Sequence, residues 1–246
     1  MHSSEDGHIL VKILDEARDT LSSGRRFLAV FDLDSTLFDL SFRIAKIVDG
    51  FADDPQAQAR FPKECTALKN VEIRAEDWGL AEAMRRLNIF EKTHPEFWHA
   101  LHEYWSFHFF TGNYFQYDGV IPGALEFVLN IQKIGADIMY LTGRDIPRMW
   151  DGSLKTLLDE GFPVNETSAR LVLKPQAEMD DAYFKLDVLR DEKKRYDRIW
   201  LFENEPVNTN LIAKECPDIG IVFIESTHSR REEPAEDVAR IQHWKI

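Results

Sequence analysis

Two carboxylates and a hydroxyl at alternate positions, Asp32, Asp34 and Thr36, follow directly on the apolar run Phe27-Leu28-Ala29-Val30-Phe31. Acidic side chains one residue apart can converge where a strand ends in a tight turn, and two anions held together in a cleft repel unless a cation joins them. Mg²⁺ suits such a place, because it needs only one or two carboxylates and fills its other positions with carbonyls, water and phosphate oxygens. A plainer reading has Asp34 or Ser35 capping a helix that begins near Leu37. The run before Asp32 nevertheless has the composition of a strand buried on both faces. Reactive groups in open parallel sheets lie just past the carboxyl ends of such strands.

The same arrangement recurs downstream. Ala136 to Leu141 is an apolar stretch ending in Thr142-Gly143-Arg144, and Ile199 to Phe202 ends in Glu203-Asn204-Glu205, with Asn208 beyond. Between them a helix over 181–191 carries Lys185 near its start, and Lys174 precedes it. In this order the chain resembles the haloacid dehalogenase superfamily of phosphotransferases and hydrolases, in its phosphatase branch. Asp32-Leu33-Asp34-Ser35-Thr36 is similar to the first motif, Thr142 to the second, Lys185 (or Lys174) to the third and the Glu203 segment to the acidic fourth.

The resemblance implies catalysis by Asp32, Asp34, Thr142 and Lys185. Asp32 would attack phosphorus to give an aspartyl phosphate. Asp34 would protonate the leaving alkoxide and then deprotonate water; dehalogenases need no such acid. Thr142 and Lys185, with Gly143 and Arg144, would bind the phosphoryl group; for Arg144 a surface pairing with Asp145 or another acid is an equal reading. Mg²⁺ would be held by Asp32, the Asp34 carbonyl, Glu203 and Asn204. The fourth motif departs from the family's usual aspartates, which leaves Asn204, Glu205 and Asn208 as alternative partners to Glu203. The implied activity is hydrolysis of a small phosphorylated metabolite. A phosphomutase, a nucleotide- or polynucleotide-end phosphatase, an inactive binding protein of this fold and an Asp-X-Asp sugar-nucleotide transferase are the rivals.

Apolar periodicity supplies the elements that must position these residues. Ile9 to Leu21 reads as an opening helix. About a hundred residues separate Thr36 from the Thr142 strand, far more than a βαβ crossover needs. Residues 40–51, 78–87 and 95–109 carry apolar residues at helical steps, and the family resemblance makes this interval a cap. The chain then returns near Gly119, with helices over 124–134 and 148–158, a strand over 169–173 and a last strand over 219–225. The expected architecture is a doubly wound parallel α/β sheet, residues 1–38 and 119–246, with a mostly helical inserted cap, residues 39–118.

Within that interval His94, His99, His102 and His108 suggest a metal site. Only His99 and His102 share a helical face, and Trp98, Trp105, Phe107, Phe109 and Phe110 dominate the segment, so packing is the preferred reading. Trp98, Tyr104 or Trp105 could also shape a leaving-group pocket.

Composition narrows the field. No run approaches the roughly 20 apolar residues of a membrane span, and Met1 to Gly7 lacks the basic start and apolar centre of a secretory signal. The expected location is the cytoplasm. Cys65 and Cys216 have no partners at metal-site spacing and read as reduced thiols. A formal charge of −13 argues against broad contact with a nucleic-acid backbone. Sequence leaves the oligomeric state open.

Overall fold

The computed structural model describes residues 2–69 and 71–246; Met1 and Asn70 lie outside them. In chain order the elements are α1 (His2–Ser22), β1 (Phe27–Phe31), β2 (Phe38–Asp39), α2 (Ser41–Asp53), α3 (Pro55–Arg60), α4 (Pro62–Leu68), α5 (Leu80–Arg86) and α6 (Pro95–Phe109). A 3₁₀ turn over Gly112–Tyr117 leads to β3 (Gly119–Val120), α7 (Ala124–Ile134), β4 (Asp137–Asp145), α8 (Ile146–Asp159) and β5 (Ala169–Lys174). The chain finishes with α9 (Asp181–Glu192), β6 (Arg198–Glu203), α10 (Pro206–Glu215), β7 (Gly220–Ile224) and β8 (Ala239–Ile241).

Six strands pair in parallel in the order β5-β4-β1-β6-β7-β8. The unbroken apolar character of β1 follows from its central place. Phe27, Ala29 and Phe31 pack with Leu10, Ile13 and Phe127 on one side, while Leu28 and Val30 pack with Phe184, Leu189 and Ile212 on the other. Both faces are thus covered by helices, as a parallel sheet requires.

Between β2 and β3, which pair antiparallel, the helices of the insert bury a cluster of their own, with Ile44, Val48, Phe51, Phe97 and Leu101 at its centre. α3 and α4 escape periodicity because each is under two turns, although Asp54 caps α3 by accepting from the Gln56 and Ala57 amides and Pro55 opens it.

Register sets the level of the polar residues. Phe31 lies beside Tyr140 and Phe202, and the Asp32 amide donates to the Phe202 carbonyl at 3.0 Å. Asp32 and Glu203 therefore leave the sheet side by side. β4 does not stop at Thr142 but runs on to Asp145, with a register shift between the two residues. No helix begins near Leu37: a turn around Leu33, with Ser35 at φ 59°, leads into β2, which removes the capping reading of Asp34.

Candidate active site

Asp32, Thr142, Lys185 and Glu203 line one cavity of about 780 Å³ between the sheet edge and the insert. Lys185, buried on α9, joins two of them, its Nζ donating to Asp32 Oδ1 and to Glu203 Oε2, each at 2.6 Å. Lys174 is elsewhere engaged, donating to the Ala177 and Met179 carbonyls and to Asp181 Oδ1. Of the two lysines, Lys185 is the one that contacts Asp32 among the described residues.

Glu203 is held on every side. Its Oε1 accepts from the backbone amides of Asn204 and Glu205 at 3.0 Å, and its Oε2 also accepts from Asn208 Nδ2 at 3.2 Å. Asn208 is thereby a positioning residue for Glu203. Glu205 turns away, accepting from the amide and hydroxyl of Ser229. Asn204 donates to the Thr227 carbonyl, and its Oδ1 accepts from Thr36 Oγ1 at 3.2 Å.

Asp32 Oδ2 has no hydrogen-bond partner among the described residues. Burial pushes the Asp32 carboxyl up to about 8; Lys185 opposes this, and the charges of Glu203 and Asp34 add to it. Lys185 is held above its ordinary value, its two carboxylates outweighing burial. Two buried carboxyl groups thus share one ammonium, and a divalent cation beside them would favour the ionised form of Asp32 that burial opposes. No three His, Cys, Asp or Glu side chains converge on a metal position among the described residues. The expected set needs only two carboxylates, with a carbonyl, an amide and water, so these residues fit Mg²⁺.

Thr142, buried on β4, accepts from the Arg144 amide at 3.3 Å, and its own proton has no acceptor among the described residues. A Cβ at Gly143 would lie 2.5 Å from Asp181 Oδ2, so the Asp181 side chain would have to move aside.

Arg144 pairs with acids, as one of its two expected readings has it, but inside the protein and with partners other than Asp145. Its guanidinium is buried rather than paired at the surface, and donates to both Asp34 oxygens, to Asp118 Oδ2 at 2.9 Å and to Ser153 Oγ at 3.1 Å. These bonds engage Nε, Nη2 and one of the two Nη1 donors. Asp145 instead accepts from Arg148.

Two further residues escaped the sequence reading. Arg43 of α2 reaches Asp34 Oδ1 at 3.1 Å and Asp118 Oδ1 at 2.8 Å, between the rings of Phe109 and Phe115. Burial alone would raise Asp34, but the two guanidiniums hold it down at about 2. Asp118 goes the other way, burial outweighing the same pair. The four charges sum to zero.

The histidine segment forms no metal site among the described residues. Trp98 and Trp105 pack on the insert's core and also line the cavity, whereas Tyr104 packs on Phe51 and does not.

No protein-family model and no curated protein matches the sequence. Solved structures do. A candidate phosphatase from Clostridium difficile is similar with a TM-score of 0.53 at 14% identity, over 89% of this chain and 95% of that one. A candidate haloacid dehalogenase-like hydrolase from Burkholderia xenovorans gives 0.51 at 17% identity, over 90% and 94%. CbbY from Rhodobacter sphaeroides, in complex with xylulose 1,5-bisphosphate, gives 0.51 at 14% identity, over 89% and 94%. The chain has the fold of the haloacid dehalogenase-like hydrolases.

Proposed function

We propose that the chain is a Mg²⁺-dependent phosphomonoester hydrolase that works through Asp32 on a small phosphorylated metabolite, with the insert as its cap. The observation that carries this reading is Lys185 bridging Asp32 and Glu203 in a cavity that Thr142 also lines. With Oδ1 fixed by Lys185, Asp32 has Oδ2 free to form the bond to phosphorus as the ester P–O bond breaks. Thr142 donates its unshared proton to a phosphoryl oxygen, and Lys185 keeps positive charge beside the reacting group.

Mg²⁺, held by Asp32, the Asp34 carbonyl, Glu203 and Asn204, supplies positive charge to the phosphoryl oxygens when bound. Asp34, kept as a carboxylate by Arg144 and Arg43, is in the form that accepts a proton from the water that cleaves the aspartyl phosphate. To protonate a leaving group it must first turn from those guanidiniums. The same two ion pairs weigh against an Asp-X-Asp sugar-nucleotide site, in which both carboxylates face the metal.

Hydrolysis of 4-nitrophenyl phosphate with and without Mg²⁺ tests the reading. Asp32→Asn should reduce turnover by at least about 10³-fold, and Mg²⁺ should raise the unfolding temperature of the wild type. Full activity in Asp32→Asn, or equal turnover after chelation, would refute it.

A further inference from the structure

We propose that the leaving group of this site's substrate carries a flat aromatic ring, seated against Trp78, Trp98 and Trp105; this rests on the phosphomonoesterase reading. The cavity is chemically divided. Its sheet side holds Asp32, Glu203, Thr142 and Lys185, whereas its insert side gathers aromatic rings, with Asp39, Arg74 and Asp77 among them.

Trp98, His102, Trp105 and Phe109 recur at i, i+4, i+7 and i+11 on α6, which places them along one helical face. All four line the cavity. Successive ring centroids lie 6.5, 5.7 and 4.7 Å apart, so the rings form a continuous ladder.

Trp78 adds a ring from the loop before α5. It is 52% exposed and lines the same cavity. An exposed indole on a mobile loop would mean little, but this loop is pinned. Asp77 accepts from Arg86 and from the Arg74 amide, and the Trp78 amide donates to Glu82. Glu82 is in turn paired at 2.6 Å with Arg230 of the loop after β7.

Apolar ring surface fixed toward a cavity gains most from a partner that covers it and removes water. A sugar can lay a C–H face on an indole and an alkyl chain can lie along it, but a second aromatic ring covers the flat surface and adds the stacking preference of ring pairs. The volume of about 780 Å³ is that of a small-molecule site with room for more than a phosphate. An aryl phosphate and a nucleoside monophosphate share the required chemistry.

The two sources separate by matched pairs: AMP against ribose 5-phosphate, and 1-naphthyl phosphate against cyclohexyl phosphate. Dissociation constants are measured by calorimetry on Asp32→Asn in Mg²⁺, so that leaving-group reactivity plays no part. The ring-bearing member of at least one pair should bind about 10-fold more tightly. That ratio should fall toward one in Trp78→Ala and be retained in Trp78→Phe. Preference within the AMP pair identifies a nucleoside ligand, and preference within the naphthyl pair alone an aryl one. Equal affinities within both pairs, with all four esters hydrolysed by the wild type, would overturn the ring preference and leave the hydrolase reading standing. Failure of the wild type to hydrolyse any of them would remove both.

Discussion

Replacing Arg43 by Met tests the buried charge cluster beneath the cavity. Arg43 is fully buried, 2.8 Å from Asp118 and 3.1 Å from Asp34, with its guanidinium over two phenylalanine rings at 4.4 and 4.6 Å. Methionine keeps much of the apolar stem but removes the charge, leaving Arg144 alone against two carboxylates. Breaking a buried ion pair from one side costs about 3–5 kcal/mol, and the lost cation–π contacts add up to about 2 kcal/mol. Retained packing offsets part of this, so a loss of about 4 kcal/mol is expected, a large share of a typical domain's stability. Urea unfolding of wild type, Arg43→Met, Asp118→Asn and the double variant measures it. The double variant restores charge balance and should be more stable than the sum of the single losses predicts, by at least about 2 kcal/mol. A single-variant loss under about 1 kcal/mol, or strict additivity, would show that the four groups do not act as a unit.

Two other perturbations probe what holds the cavity's surroundings. In Gly152→Ala the new Cβ would lie 2.7 Å from Gly112 Cα and 2.8 Å from the Phe115 ring, so α8 and the 3₁₀ turn must separate at a cost of about 1–3 kcal/mol; an unchanged urea midpoint refutes this. Burial would raise the Asp77 carboxyl, but Arg86 and the Arg74 amide outweigh it and hold it below its usual range. A depressed folded-state pKa contributes stability that is whole above about pH 4 and is lost as pH falls through the folded value. The stability gap between wild type and Asp77→Asn should therefore narrow from about pH 6 to about pH 3, and a constant gap contradicts the assignment.

The strands and long helices were legible because each buries an apolar face over several turns or pleats. α6 and α7 begin and end where periodicity placed them, at 95–109 and 124–134. α1 extends beyond the expected Ile9–Leu21, since its first turn is polar and carries little periodic signal. β8 has only three residues, two of them half-buried, and gave no pattern.

Asp32, Thr142, Lys185 and Glu203 were readable because each follows an apolar strand or opens a helix in a fixed order. Arg43 and Asp118 belong to no motif. The one available signal was that Arg43 shares a helical stripe with Ile47 and Phe51, so a charge falls on the buried face of α2. The fate of Arg144 was hidden for the same reason: its acidic partners lie 110 and 26 residues away.

The ion cluster straddles the junction between sheet and insert in a symmetrical way. Asp34 and Arg144 come from the sheet side, Arg43 and Asp118 from the interval between β2 and β3. Each side thus brings one acid and one base. A graft that exchanged the whole interval for another would remove a neutral pair and leave a neutral pair behind. The seam is electrically modular, and a new specificity wall could be fitted to the old chemistry without stranding a charge beneath it.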